Sequence, residues 1–189
     1  MRYQSHQVYH IFNQGNNREK IFFEPCNYEY FKAKLRRYVC PNADLLAYCL
    51  MPNHFHLLIY TSDLSVQEYK NSGLQNISFA ISQLLSSYTK GINRRFNRTG
   101  SLFRSKTKKK DGWNNDNDFR SIAEFEGKAL SHVENVYALR VFNYIHENPV
   151  KARLVRTAEE WVYSSAREFS KVEEKPLCNI ERAKYLLGV

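Results

Sequence analysis

The sequence contains few glycines, prolines and cysteines, and it has no long apolar run. Its 189 residues include only 7 Gly and 5 Pro, which argues against a disordered or fibrous chain. None of the 4 cysteines forms a CxxC pair, so the spacing offers no zinc knuckle and a reduced, cytoplasmic protein is the simplest expectation. No apolar run approaches the ~20 residues that span a bilayer, and residues 1–10 lack the apolar core of a signal peptide. We therefore expect no membrane partner.

Hydrophobic residues and positive charge are abundant instead. A hydrophobic content of 43% in 189 residues suits one domain that can bury a substantial core. The formal net charge of +9 fits a nucleic-acid partner, because phosphates attract Lys and Arg. A basic surface without such a partner is an equal alternative when charge alone is considered.

Hydrophobic periodicity predicts strands that alternate with helices. Strands are predicted at 7–13, 44–51, 54–61 and, from a weaker pattern, 101–106. Helices are predicted at 28–39, 77–96 and 132–147, the last ending because a proline disfavours helical geometry in the residue before it. Residues 62–76 and 112–119 are predicted to be irregular. This order predicts an α+β fold with an antiparallel sheet of about four or five strands and helices packed on it.

Two histidines stand one residue apart in the apolar strand HFHLLIY. Because side chains alternate along a strand, His54 and His56 share one face, and Phe55, Leu57 and Ile59 point to the other. Two neutral imidazoles on one face can bind one divalent metal. Taken alone, the pattern fits two half-exposed histidines hydrogen-bonded to their neighbours better.

A second pair lies on the last predicted helix. Tyr144 and Asn148 are four residues apart and therefore share a helix face, so a phenol and an amide oxygen can meet the same substrate. Taken singly, Tyr144 also fits a core aromatic and Asn148 a helix end before proline.

The third element is a basic stretch between residues 94 and 110, with Phe96, Leu102 and Phe103 interspersed. Cations with interleaved aromatics suit single-stranded nucleic acid, through phosphate contacts and base stacking. A solvated loop with apolar anchors is the alternative, and the overall charge favours DNA binding. The candidate DNA-binding residues are Arg94, Arg95, Arg98, Arg104, Lys106, Lys108, Lys109 and Lys110.

Together these elements resemble the single-tyrosine transposases of the HUH class, most closely the REP-associated tyrosine transposases. The resemblance covers roughly residues 8–168, and YCLMPNHFHLLI joined to YIHENPVKARL is its most specific part. The segments that carry it are YHIFNQGNNREKIFF, YCLMPNHFHLLI, NRTGSLFRSK, YIHENPVKARLV and WVYSSAREF.

The resemblance implies a ferredoxin-like fold and an enzyme that nicks and joins single-stranded DNA with hairpin structure. His54, His56 and Asn148 match the metal-binding positions, with Mg²⁺ or Mn²⁺ as the expected cofactor, and Tyr144 matches the nucleophile that forms a 5′-phosphotyrosine. A phenol with a pKa of ~10 is a weak nucleophile at neutral pH, which a divalent cation offsets by polarising the phosphate. We accordingly expect a catalytic domain at 1–155 and a C-terminal extension at 156–189 that packs on it.

Several alternatives stay open at this point. The chain is alternatively a domesticated, non-catalytic DNA- or RNA-binding protein, a replication or conjugation nickase, or a zinc protein that uses the two histidines. Tyr88 and Tyr60 compete with Tyr144 for the nucleophile role. The sequence does not decide the roles of His146 and Glu147, nor whether the protein is a monomer or a homodimer. Residues 111–130 fit an insertion or a variable loop relative to shorter members of the family.

Overall fold

A four-stranded antiparallel sheet organises the chain. The computed structural model describes residues 2–111, 130–170 and 175–189. The strands are β1 (Val8–Gln14), β2 (Asp44–Met51), β3 (His54–Tyr60) and β4 (Lys108–Asp111). Their spatial order is β2–β3–β1–β4, and every neighbouring pair is antiparallel. The predicted α+β, ferredoxin-like architecture is confirmed.

Helices cover both faces of this sheet. They are α1 (Pro25–Lys34), which a π-helical turn (Leu35–Val39) extends, α2 (Asp63–Val66), α3 (Asn76–Arg95), α4 (Leu130–Lys151), α5 (Ala166–Ser170) and α6 (Ile180–Leu187). Short 3₁₀ turns occupy Asn16–Arg18 and Ala158–Glu160. The Asn179 side chain accepts a 3.0 Å hydrogen bond from the Arg182 N–H at the start of α6, and Gly188 ends this helix with a left-handed φ of 69°.

Successive side chains of β3 point to opposite faces of the sheet, and each face has its own layer of the core. Phe55, Leu57 and Ile59 are fully buried in the larger layer, together with apolar residues of α1 and α3. Leu58 points the other way and packs in a smaller layer with Val141 and Ile145 of α4. The face that carries the two histidines is therefore covered by α4 over part of its area.

The segment that follows α4 lies along β2, an edge strand of the sheet. The Leu50 N–H donates to the Tyr163 carbonyl at 2.9 Å, and the Ser165 N–H donates to the Tyr48 carbonyl at 3.0 Å. The indole N–H of Trp161 donates to the Leu50 carbonyl at 3.0 Å. These bonds satisfy backbone groups of β2 that an edge strand otherwise leaves to solvent. The division into domains at residue 155 stays a prediction.

Two predicted boundaries are wrong, and the segment predicted to be irregular at 62–76 contains helix α2 (Asp63–Val66). Helix α4 does not end at residue 147 but continues through Pro149 to Lys151, and the Ala152 N–H still donates to the Asn148 carbonyl at 2.9 Å. Because Pro149 is so near the helix end, its ring removes one hydrogen bond without breaking the helix. The last strand begins at Lys108, whereas residues 101–106 contribute a single bridge, between Phe103 and Gly15. The predicted loop at 112–119 lies outside the described residues.

Two further findings concern membrane-spanning helices and the cysteines. Within residues 2–111, 130–170 and 175–189, no helix has both the length and the apolar content to cross a membrane. All four cysteines, Cys26, Cys40, Cys49 and Cys178, are free thiols. Cys49 is fully buried in the smaller layer, as expected of a small core hydrophobe.

Candidate active site

The two histidines of β3 lie side by side at the start of the strand. The ring centroids of His54 and His56 are 5.0 Å apart and the rings are nearly perpendicular. His56 is buried, with 5% of its surface exposed, and His54 is half-buried. The turn before the strand supplies a partner, because the Nδ1 atom of His54 lies 2.6 Å from the Asn53 amide oxygen. That contact engages one nitrogen of the His54 ring, so Nε2 is the nitrogen left for other partners.

A third imidazole, from β1, completes the cluster. His10 is 6% exposed, and its Nε2 atom lies 2.8 Å from the Nδ1 atom of His56. The register pairs Phe12 with His56 and His10 with Leu58, and paired residues of antiparallel strands share a face. His10 therefore lies diagonally across from His56, on the face where β3 presents both of its histidines.

Burial keeps these imidazoles neutral. It lowers the pKa of His10 to about 4, with a smaller contribution from the positive charge of Lys110. It also lowers the pKa of His56 to about 2, where the neighbouring His10 and His54 act in the same direction. The pKa of His54 is lowered by burial too, although a hydrogen bond with Asn148 opposes that shift. Neutral imidazoles are the form that binds a metal ion.

Helix α4 brings Tyr144 and Asn148 to this cluster. The Tyr144 ring lies edge-on to His56, with centroids 5.5 Å apart, and 6.2 Å from His10. Tyr144 is 43% exposed, so its phenol reaches solvent. The Asn148 side chain hydrogen-bonds His54, and its amide nitrogen donates to the Tyr144 carbonyl at 2.7 Å. The four residues predicted to form the site are thus adjacent, although their roles stay predictions.

The donor set would suit a divalent cation that takes both nitrogen and oxygen ligands. Both histidines of β3 have Nδ1 engaged, by Asn53 and by His10, as is usual for imidazoles whose Nε2 binds a metal. Asn148 adds an amide oxygen beside His54. Across the part of the chain that the structure describes, no group of three or more His, Cys, Asp or Glu side chains is arranged to hold a metal ion. Two imidazoles and one amide leave room for oxygen ligands, which Mg²⁺ and Mn²⁺ prefer.

The cluster forms one wall of an open cleft whose other wall is basic. Arg104, Lys106 and Lys108 line it opposite His54, His56 and Tyr144. Phe12 and Gln14 of β1 lie between the two walls, and Phe12 is only half-buried. The cleft therefore offers cations, an aromatic ring and a phenol at one place.

The remaining basic residues do not all lie in this cleft. Lys110 pairs with His10 across the strands and shares the face of the histidines, whereas Lys109 pairs with Ile11 and points to the opposite face. There the Lys109 ammonium group lies 4.4 Å from the centre of the Tyr9 ring and donates to the Arg2 carbonyl at 2.6 Å.

Three arginines at and beyond the end of α3 lie apart from the cleft lining. Arg95 forms a 2.6 Å ion pair with Glu24, and Arg98 lies 3.5 Å from Glu19. Arg94 is exposed in the last turn of α3. The structure therefore divides the stretch that the sequence presents as one basic run.

The competing tyrosines and the undecided residues lie elsewhere. Tyr88 is fully buried, its hydroxyl donates to the Ile21 carbonyl at 2.7 Å, and burial raises its pKa. The Tyr60 hydroxyl lies 3.0 Å from His6 at the far end of β3. His146 is buried, and its Nε2 atom lies 2.7 Å from the Ser165 hydroxyl. Together with Glu147 it lines a separate cleft. Tyr144 is therefore the tyrosine at the histidine cluster.

Two residues of this site, His10 and Lys151, are not among the site residues predicted from the sequence. His10 lies in a predicted strand, but only the register with β3 brings it to His56. The Lys151 ammonium group lies 5.3 Å from the centre of the Tyr144 ring. Its position seven residues after Tyr144, two helical turns away, was a usable signal, but the helix was predicted to end before it.

Comparisons with known proteins support the fold. No protein-family model matches the chain, and no curated protein matches its sequence. A solved structure described as the "REP associates tyrosine transposase bound to a REP hairpin" is similar over 94% of this chain and 87% of that chain. The TM-score is 0.58 and the sequence identity is 14%, so the similarity shows a common fold.

Proposed function

We propose that this protein cleaves and rejoins single-stranded DNA with hairpin structure, as a metal-dependent tyrosine transposase. One observation carries the proposal: the exposed phenol of Tyr144 stands against His56 in a cleft lined by Arg104, Lys106 and Lys108. A nucleophile, a set of neutral donors and a phosphate-attracting wall are the components that phosphodiester transfer needs. The solved structure with a similar fold is a tyrosine transposase bound to a REP hairpin, which supports a nucleic-acid hairpin as the partner.

Tyr144 is the nucleophile in this proposal. Its phenolic oxygen forms a bond to phosphorus and the bond from phosphorus to the 3′-oxygen breaks. The phenolic proton is lost to solvent, and the departing 3′-oxygen takes up a proton. The products are a 5′-phosphotyrosine and a free 3′-hydroxyl. Because the covalent link conserves the bond energy, a second 3′-hydroxyl can reverse the reaction and join a new strand.

His54, His56 and Asn148 would hold the divalent cation beside Tyr144. When bound, Mg²⁺ or Mn²⁺ neutralises negative charge on the nonbridging phosphate oxygens. Without the cation, the hydrogen bond between Asn148 and His54 keeps these two donors adjacent, and α4 carries both the proposed nucleophile and this proposed ligand. That shared helix sets the distance between the phenol of Tyr144 and the amide of Asn148.

The basic wall would hold the strand in place. Arg104, Lys106 and Lys108 are exposed and available for phosphate contacts along the cleft. The half-buried Phe12 ring offers a surface on which a base can stack. Phosphate contacts and stacking are the usual means of binding single strands without reading every base.

A covalent-adduct assay tests the proposal. The protein is incubated with end-labelled single-stranded hairpin DNA and Mn²⁺, and denaturing gels are examined for protein joined to the labelled strand. We expect an adduct with the wild type and none with Tyr144→Phe. Tyr185→Phe is the matched control, because Tyr185 is 83% exposed on α6, and it should react as the wild type does.

Two results would contradict the proposal. Undiminished adduct formation by Tyr144→Phe would remove Tyr144 from the nucleophile role. Tight hairpin binding by the wild type without cleavage under any divalent metal would instead favour a domesticated, non-catalytic DNA- or RNA-binding protein.

A further inference from the structure

We propose that His10 is a positioning residue that fixes the ring proton of His56 at Nδ1 and thereby presents the Nε2 lone pair of His56 to the cleft. The inference rests on the proposed function in one respect, the role of His56 as a ligand. It assigns to β1 a part in the site in addition to His54, His56, Tyr144 and Asn148.

The contact between the two rings is short and buried. The Nε2 atom of His10 lies 2.8 Å from the Nδ1 atom of His56, and the two residues are 6% and 5% exposed. At that distance the two nitrogens share a hydrogen bond, so one of them carries the proton and the other is bare. Little solvent reaches either ring, so His10 is the partner that decides where the proton lies.

Only one of the two arrangements is compatible with a ligand role. If the His56 proton lies on Nδ1 and is donated to His10, Nε2 of His56 has a free lone pair. If His10 donates instead, the proton of a neutral His56 lies on Nε2 and that nitrogen cannot bind a cation. The proposal therefore also specifies the His10 tautomer, with its own proton on Nδ1.

The neighbouring histidine shows the same arrangement with a different partner. Nδ1 of His54 lies 2.6 Å from the Asn53 amide oxygen, which only accepts a hydrogen bond. His54 thus donates from Nδ1, and in the neutral ring its Nε2 atom carries the lone pair. With His10 as the acceptor for His56, both histidines of β3 have the same tautomer, and each has the lone pair on Nε2.

The geometry of β1 explains why this position suits a histidine. His10 pairs with Leu58 across the strands, two residues from His56 on the same face, so a planar ring spans the diagonal. The centroid of the Phe12 ring lies 4.8 Å from that of His10 and 5.7 Å from that of His56. The centroids of the Tyr144 and His10 rings are 6.2 Å apart. These contacts hold the acceptor nitrogen in place.

The first test reads the tautomer in the metal-free protein. The ¹⁵N chemical shifts of labelled His56 distinguish a proton on Nδ1 from one on Nε2. We expect the Nδ1–H form in the wild type and a loss of that preference in His10→Phe, which keeps a ring but has no acceptor. An Nε2–H form of His56 in the wild type would overturn the proposal. This measurement needs neither metal nor DNA.

The second test measures Mn²⁺ affinity, in a Tyr144→Phe background so that no cleavage occurs. Loss of an outer-shell partner typically weakens metal binding by about 10- to 100-fold, and we expect that loss for His10→Phe. His10→Gln keeps an acceptor oxygen and should recover part of the affinity. Equal Mn²⁺ affinity in His10→Phe and the parent would overturn the proposal, as would a parent protein that binds no Mn²⁺.

The two proposals fail in different ways. A protein whose Mn²⁺ affinity depends on His10 but which forms no DNA adduct contradicts the proposed function and supports the role of His10. Thermal unfolding of each variant provides the folding control. If His10→Phe does not fold, the wild-type tautomer and the His10→Gln affinity still decide the question.

Discussion

The Tyr144 ring meets the His56 ring edge-on, with centroids 5.5 Å apart and an angle of 82° between the ring planes. The two residues come from different elements, α4 and β3, so their distance depends on how the helix packs on the sheet. Ile145, next to Tyr144, is fully buried in the smaller core layer beside Leu58 of β3. The position of the phenol is therefore fixed by core packing as well as by the site itself.

Replacing Asn148 with Ala should weaken metal binding without unfolding the protein. The substitution removes the amide oxygen beside His54 and the hydrogen bond with that ring. We expect Mn²⁺ affinity to fall at least about tenfold, the lower end of the effect of losing an outer-shell partner, as measured by isothermal titration calorimetry. Asn143→Ala is the matched control, because Asn143 is exposed on the same helix and borders the separate cleft. Equal losses for both variants would contradict a specific role for Asn148.

The neighbouring residues Lys108 and Lys109 should differ in their effect on DNA binding. Lys108 lines the cleft, whereas Lys109 points to the opposite face and contacts the Tyr9 ring and the Arg2 carbonyl. Each phosphate contact contributes about 0.7 to 0.9 to the slope of log affinity against log salt. Lys108→Gln should reduce the slope by about that amount, measured by fluorescence anisotropy with labelled hairpin DNA. Lys109→Gln should leave it unchanged, and an equal reduction would contradict the assigned faces.

Local patterns predicted those parts of the molecule that depend on nearest neighbours along the chain. The alternation of HFHLLIY indicated which side chains are buried, and the structure buries Phe55, Leu57 and Ile59 in one layer. Spacing by four residues indicated that Tyr144 and Asn148 lie on one face of a helix, and both lie at His54 and His56. Such periodicities follow from backbone geometry and need no tertiary information.

Features that depend on strand register were not predictable. Lys108 and Lys109 are equivalent in a basic run, and only pairing with Phe12 and Ile11 assigns them to opposite faces. The contact of His10 with His56 likewise requires the β1–β3 register. A one-residue slip would reverse every assignment.

Tyr88→Phe should destabilise the fold while leaving catalysis in place. The Tyr88 hydroxyl donates to the Ile21 carbonyl in the core, so its removal leaves a buried carbonyl without that donor. We expect a loss of about 1–3 kcal/mol in the free energy of unfolding, measured by urea denaturation. The folded fraction should still form the DNA adduct. Loss of the adduct in a folded Tyr88→Phe protein would make Tyr88 the better candidate nucleophile.

Lys151→Met should slow adduct formation more than it weakens DNA binding. The Lys151 ammonium group lies over the Tyr144 ring, 5.3 Å from its centre, so it helps to hold the ring and adds a positive charge on one face of the proposed nucleophile. An exposed cation–π contact contributes about 0.5–1 kcal/mol, so the single-turnover rate at saturating hairpin DNA should fall about two- to fivefold. Lys151→Arg keeps the charge and the stacking and should restore most of the rate.

A second contact between a lysine and a tyrosine ring, outside the cleft lining, provides the control for Lys151→Met. The Lys34 ammonium group lies 4.8 Å from the centre of the Tyr30 ring on α1, outside the cleft lining. Lys34→Met removes the same kind of contact and one positive charge, so it should leave the single-turnover rate unchanged. A fall in rate of similar size in both variants would show that Lys151 acts through overall charge or stability. A fall confined to Lys151→Met, with affinity for DNA retained, would place its effect at Tyr144.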